Sequence, residues 1–319
     1  LGIVVVAMVF LPVLKIGGMQ FFRSEAFDLS ADILPRATEV AGQLIWLYVA
    51  ITVACLLGYS AAGMSEFDAL AHALTTVATG GFANYDSSFA AFGPGAHYVA
   101  IVFMLLAALP FIRFIELSRG RTAPLLLDPQ IRTFLAIVAV AAGAVAAWIF
   151  LAGRYEAEPA IRHALFNIVS NLTGTGYASQ DYSLWGGLPV TVVFMVALIG
   201  GCTGSTACSA KVFRYQILFA ALLQQIRRIH TPSGVFQLRY DHRVIEPEVL
   251  SSVMAFFFVF VAALSIWAIL LSMFGLPAIT AISGAVATLA NVGPGLGPQI
   301  GPAGNYAGLP DAAKWLLSA

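Results

Sequence analysis

The sequence predicts an all-α integral membrane protein in which one unit (a spanning helix, a half-helix, a glycine-containing turn and a second spanning helix) recurs around a shared cavity. Three observations predict it. Hydrophobic residues make up 60% of the chain and charged residues 10%, against roughly 45 to 50% and about 25% in a soluble domain, so lipid is the solvent. Apolar stretches of the length a bilayer demands, roughly 17 to 25 residues, run over 37–59, 98–115, 132–151, 188–200 and onward, and 250–274. Thr76 to Asp86, TVATGGFANYD, aligns with Asn171 to Asp181, NLTGTGYASQD, through a Thr/Gly-rich centre, an aromatic after the glycine, and an Asp five residues beyond Gly81 and Gly176.

The elements follow in order. Residues 1–37 read as the closing helix of a first unit and a polar connection, 38–129 as a second unit, 130–246 as a third with a broken closing helix, and 247–319 as a fourth that stops inside its closing helix. Within each complete unit, a stretch too short to cross and too apolar for an ordinary loop, 67–75 and 160–169, precedes the glycine turn; these are the half-helices. Residues 277–290 followed by Asn291-Val292-Gly293-Pro294-Gly295 repeat the layout. Ser65 with Asp68 forms a capping-box pattern, and Pro159 and Pro277 suit first helical turns. Gly81, Gly176 and Gly293 lie 95 and 117 residues apart, which places a further unit's turn before Leu1. Leu1 to Leu14 and the final run from Lys314 are apolar to the chain's ends, so a longer chain is expected.

Net charge is zero, with 16 basic and 16 acidic residues, and nothing in the balance points to nucleic acid. Placement is more telling. Lys15, Arg23, Arg36, Arg113, Arg119, Arg121, Arg132, Arg227, Arg228, Arg239 and Arg243, eleven of the sixteen, fall in three polar connections. The alternate connections carry Asp86, Asp181 and Asp311 and no Lys or Arg. The positive-inside rule makes the basic set cytoplasmic and puts the glycine turns on the external side.

Irregular backbone at membrane depth is tolerated only where protein buries it or where it lines a wet cavity. Carbonyls from several such turns, aimed at one axis, can replace the hydration shell of a cation. The residues placed there are Ala78, Thr79, Gly80 and Gly81; Thr173, Gly174, Thr175 and Gly176; and Asn291, Val292 and Gly293. Thr79, Thr173 and Thr175 can lend hydroxyl oxygens, and each half-helix would aim its partially negative C-terminus at the cavity. Asp86 and Asp181 read either as an electronegative outer mouth or as Asx turns. After Gly176 the next span is interrupted by Gly200-Gly201-Cys202-Thr203-Gly204-Ser205-Thr206 ahead of Lys211. This lacks the spacing of a phosphate loop and reads as a broken helix below the turns, a gate. Lys211 either adds a competing positive charge to the cavity or snorkels to the inner surface.

Cys55, Cys202 and Cys208 read as packing residues. His72, His97 and His163 read as isolated, with no metal role, and no Ser/His/Asp set, paired intramembrane carboxylates or HExxH is present. Catalysis therefore has no candidate residues, and no cleavable signal peptide is visible.

Three segments, TTVATGGFANYD, IGGCTGSTACSAKVFRYQ, and ANVGPGLG with LPDAAKWLL, resemble the integral membrane subunits of bacterial Trk potassium uptake systems, the TrkH type of the Trk/Ktr/HKT superfamily. The resemblance covers essentially the whole chain. It implies pseudo-fourfold M1-P-M2 repeats around a central ion pore, with the first repeat and last helix incomplete here. It also implies a homodimer in the bacterial inner membrane, potassium as the transported ion with no tightly bound cofactor, and cytosolic TrkA-type regulatory subunits that bind nucleotide. Selectivity-filter glycines would be Gly81, Gly176 and Gly293, and the intramembrane gating loop Gly200 to Lys211. Two features depart from the family pattern. The first filter segment and the pore-facing Arg of the last helix are absent from these residues, and the gating loop reads STACSAK where many members carry glycines, which makes it stiffer and Cys208 a reactive handle. An alternating-access carrier coupled to sodium or protons is the competing expectation; such carriers are usually built from inverted repeats.

Overall fold

The structure, a computed structural model, describes residues 37–231, 234, 236–241 and 243–318. Apolar composition without a strong one-sided stripe gives α1 (Ala37–Ala61), α6 (Pro129–Leu151) and α10 (Pro247–Met273), the three described helices long and apolar enough to cross a membrane. Pro129 and Pro247 stand at the first helical positions of α6 and α10, where a missing N–H is harmless. A short half-helix packs against each of these spans: α2 (Glu66–Val77) on α1, α7 (Ala157–Thr173) on α6, and α11 (Ala278–Leu289) on α10. A span with a half-helix packed on it therefore occurs three times among the described residues. The segment read as closing a first unit, 1–37, lies outside the described residues apart from Ala37.

One expectation about spans needs correction. Residues 98–115 do not form one span: α3 (Pro94–Ala107) and α4 (Phe111–Ser118) meet at 90°. Pro110 has no N–H to give and its ring crowds the carbonyl one turn back, so the helix ends before it. The break expected in the span that runs from 188–200 onward is present: α8 (Gly187–Ala197) ends, an irregular stretch follows, and α9 (Val212–His230) resumes beyond it. The half-helix predicted at 160–169 is longer than expected, with Pro159 in its first turn, whereas Pro277 precedes α11 as its N-cap. The polar connection after α9 carries a two-residue antiparallel hairpin, β1 (Arg239–Tyr240) with β2 (Arg243–Val244), pairing Arg239 with Val244 and Tyr240 with Arg243. A short helix, α5 (Ala123–Leu127), links α4 to α6, and α12 (Asp311–Ser318) closes the described chain.

The main core lies between α1–α3 and α6–α8, with α7 at its centre; from Phe166 to Thr173 every residue of α7 is buried. At the basic end of α6, Asp128 is 4% exposed. It caps the helix by accepting the Gln130 N–H at 2.8 Å and takes the Arg113 Nε at 2.8 Å. Arg113, one of the basic residues on which the expected orientation rests, thus locks α4 to α6. Replacing one member of a buried charged pair removes roughly 2 to 3 kcal/mol. Asp128→Asn is expected to lower the apparent melting temperature in detergent by several degrees while leaving the helix cap largely in place; an unchanged melting curve would show that the pair is energetically idle.

Candidate functional site

The three half-helices end in one backbone pattern. The carbonyl of Thr75 accepts the N–H groups of Gly80 and Gly81, that of Ser170 accepts those of Thr175 and Gly176, and that of Ala287 accepts those of Val292 and Gly293. Thr75, Ser170 and Ala287 are therefore equivalent, as are Gly80, Thr175 and Val292, and Gly81, Gly176 and Gly293. The agreement extends to dihedrals: Thr79, Gly174 and Asn291 have φ of 50°, 74° and 52°, and the glycines two residues later have φ of 68°, 82° and 100°. Each half-helix thus unwinds through a left-handed residue and, two positions on, a left-handed glycine.

The turns also meet one another in order. A Cβ at Gly81 would lie 1.6 Å from the Thr175 carbonyl oxygen, and one at Gly176 would lie 1.8 Å from the Val292 carbonyl oxygen. Each glycine therefore faces the carbonyl of the residue preceding the glycine in the next unit. Beside Gly293, no atom of the described residues lies within 4 Å of the equivalent position. Positive φ and contact at this range together leave room for glycine alone.

Hydroxyls hold the first two turns from behind. Thr75 Oγ1 donates to the Phe82 carbonyl at 3.0 Å, and Ser170 Oγ donates to the Tyr177 carbonyl at 2.7 Å. The Tyr177 hydroxyl crosses to the neighbouring unit and lies 2.5 Å from Thr75 Oγ1. Thr173 and Thr175 pair their hydroxyls at 2.8 Å. On the far side of the turns, Asp68 in the first turn of α2 accepts from Ser65, Asn84 and Tyr85 at 2.7, 2.8 and 3.2 Å. The capping pattern is formed, and the same carboxylate straps down the connection that follows Gly81. The Asn84 amide first, and then the Ser65 hydroxyl, hold this carboxyl below its ordinary value, so it stays ionised at neutral pH. Asp181 accepts the Ser183 N–H at 3.0 Å and its hydroxyl as well, which is the Asx-turn geometry; Asp86 is exposed.

The stretch 200–211 lies against the C-terminal ends of the half-helices. Thr206 donates its hydroxyl to the Val77 carbonyl at 3.1 Å or to that of Ala107 at 2.9 Å, while its own carbonyl accepts the Thr79 hydroxyl at 2.7 Å. The Cys208 N–H reaches the Thr173 carbonyl at 3.4 Å, and the Asn291 amide donates to the Cys208 sulfur at 3.1 Å. Carbonyls at two half-helix ends therefore receive donors from this one loop, and the loop touches all three turns. Left-handed residues fold it: Gly200 and Gly204, and with them Ser209 and Lys211, both at φ 67°. Side chains other than glycine hold that conformation at roughly 1 to 2 kcal/mol each, so the loop is stiffened where glycines would have left it free.

The sequence reading missed the loop's second anchor. The break between α3 and α4 exposes the carbonyls of Ala107 and Ala108, which accept the N–H groups of Thr206 and Cys202 at 3.1 and 3.0 Å. Gly204 returns its carbonyl to the Phe111 N–H at 3.0 Å, and Gln130 Oε1 accepts the Thr203 N–H at 2.9 Å. Pro110 within an apolar run was the available signal. Ser205 closes the loop internally on the Cys202 carbonyl at 2.6 Å, Gly201 packs on Ala108, and Lys211 stands at the N-cap of α9. Nor are the histidines isolated: His97 and His163 lie 5.7 Å apart, His97 Nδ1 accepts from Arg162 at 2.8 Å, and His163 pairs with Ser179. Among the described residues no group of three or more His, Cys, Asp or Glu is placed to hold a metal ion.

A family model described as TrkH, a cation transport protein, matches residues 1–319. The Trk system potassium uptake protein TrkI of Halomonas elongata is 42% identical over 319 residues, covering 99% of this chain and 65% of its own length. TrkH of Escherichia coli K12 is 32% identical, covering 100% of this chain and 66% of its own. Among solved structures, the potassium transporter TrkH from Vibrio parahaemolyticus matches with a TM-score of 0.85 and 29% identity over 99% of this chain and 65% of that one. The chain thus spans just under two thirds of the length of these relatives.

Proposed function

The chain belongs to the TrkH family of cation transport proteins, and from that premise we propose that it forms the greater part of a gated, potassium-selective pore for uptake across the bacterial cytoplasmic membrane. One observation carries the reading: three half-helices end in the same left-handed turn, with Gly81 and Gly176 each set against a carbonyl of the next turn. A ring of turns related in this way lines an axis with backbone oxygens, the ligands a dehydrated potassium ion needs. Potassium is the cargo and binds at Ala78 to Gly81, Thr173 to Gly176 and Asn291 to Gly293. The open side of Gly293 accommodates a further turn of the same kind, completing a pseudo-fourfold ring.

Beneath that ring, the loop from Gly200 to Lys211 is the gate. Its donors occupy the carbonyls at the ends of α2 and α7, where the helix dipoles are negative and a hydrated cation would otherwise be held. Opening exchanges those donors for the ion. The protein works as a homodimer, and cytosolic TrkA-type subunits dock on the basic connections; exposed Arg119, Arg121, Arg132, Arg227 and Arg228 support this placement. Asp86 adds negative charge outside the ring, whereas Asp181 serves the turn it caps.

Ion flux in liposomes carrying the intact protein tests the reading. Flux that follows each ion's electrochemical gradient, with potassium and rubidium above sodium and lithium, is the expected result. Saturating transport that requires a second ion's gradient would replace the pore by an alternating-access carrier.

A further inference from the structure

In the first two turns, the pore-helix residue that accepts the paired N–H groups also carries a hydroxyl, and that hydroxyl braces the carbonyl just past the glycine: Thr75 on Phe82, Ser170 on Tyr177. The third turn lacks this hydroxyl. Ala287 stands where Thr75 and Ser170 stand and has none; Pro294 stands where Phe82 and Tyr177 stand and lacks the phenol with which Tyr177 reaches Thr75. A different donor is at hand. Tyr306, in the 3₁₀ turn Tyr306–Gly308 of the following connection, donates its hydroxyl to the Gly293 carbonyl at 2.5 Å. No equivalent residue braces Gly81 or Gly176 among the described residues.

We propose that Tyr306 is a specificity-determining positioning residue: its hydroxyl fixes the Gly293 carbonyl in the turn whose half-helix residue, Ala287, has no hydroxyl to hold the neighbouring carbonyl of Pro294. The inference rests on the filter reading above. Gly293 is left-handed at φ 100°, and a hydroxyl on its carbonyl oxygen fixes the tilt of the peptide plane it shares with Pro294. Carbonyl orientation sets how well a ring discriminates potassium from the smaller, more strongly hydrated sodium. Tyr306 itself is half-buried, and burial pushes its hydroxyl up to about 12, so it stays a proton donor at any physiological pH.

The inference makes a prediction that a merely structural tyrosine would not. Tyr306→Phe removes one oxygen and keeps the ring, and the potassium-to-sodium flux ratio of the intact reconstituted protein is expected to fall about fivefold, the factor one net hydrogen bond supplies. Adding Ala287→Ser puts a hydroxyl where Thr75 and Ser170 carry theirs; it would brace the Pro294 carbonyl, one residue beyond the one Tyr306 holds, and by stiffening the same turn the double variant is expected to regain most of the ratio. A Tyr306→Phe protein with the wild-type ratio overturns the proposal, and so does a double variant that stays at the single variant's value. Should Tyr306→Phe be recovered only as aggregate, the double variant carries the test: a monodisperse protein with the wild-type ratio supports the brace, and continued aggregation overturns it. Gly176→Ser, measured alongside, separates the two levels of argument. If it destroys selectivity while Tyr306→Phe leaves it intact, the filter stands and the brace falls; if both leave selectivity intact, the filter reading itself falls.

Discussion

Gly176→Ser is expected to abolish potassium selectivity, the largest effect of any single substitution in the chain. The added Cβ would lie 1.8 Å from the Val292 carbonyl oxygen and 2.9 Å from Pro294 Cδ, contacts that no side-chain rotation relieves because the first partner is backbone. The left-handed φ of 82° adds roughly 1 to 2 kcal/mol for any residue with a Cβ. Either Val292 moves off the axis or Gly176 does. A change of 1.4 kcal/mol at a binding site is about a factor of ten in affinity, so the potassium-to-sodium flux ratio should fall by at least about tenfold. Gly81→Ser meets the Thr175 carbonyl at 1.6 Å and should behave alike. Liposome flux with potassium, rubidium, sodium and lithium gradients checks both; retained selectivity in both would mean that the ions pass elsewhere.

Deleting Cys202 to Ser209 is expected to leave the pore leaky. That loop contributes the Thr206 hydroxyl, the Thr206 carbonyl, the Cys208 N–H and the Cys208 sulfur to the ends of the half-helices. With neutral hydrogen bonds worth about 1 kcal/mol net each, even two of them bias the closed arrangement by more than tenfold. The deletion should raise basal potassium flux at least about tenfold, and Thr206→Val, which removes a single donor hydroxyl, about fivefold. A deletion variant that remains tightly closed would assign the gate to another part of the chain. The break at Pro110 gives the loop its second anchor: the Ala107 and Ala108 carbonyls at the end of α3 accept the Thr206 and Cys202 N–H groups, and the Phe111 N–H at the start of α4 donates to the Gly204 carbonyl.

Much of this was legible from residues alone. Lipid as solvent, three half-helices and their glycine turns all follow from apolar run lengths and from a Thr/Gly motif that recurs. Those signals are local: a run of apolar residues, or a glycine that must be left-handed, is written in consecutive positions. The broken span was legible in principle at Pro110 and was passed over because the run of apolar residues around it is continuous. That the chain bends there by 90° was decided by a partner almost a hundred residues away, the loop whose N–H groups take up the carbonyls the proline frees. The pairing of His97 with Arg162 and His163, and of Arg113 with Asp128, belongs to the same class, since side chains meet across helices whose crossing no periodicity records. So does the brace from Tyr306. The sequence by itself determined that Ala287 has no hydroxyl and that Gly293 is followed by a proline; only the tertiary structure decided that a tyrosine thirteen residues on folds back to hold the carbonyl. A hydrogen bond is specified by the positions of two atoms in space, and the sequence fixes only one residue's reach toward the other.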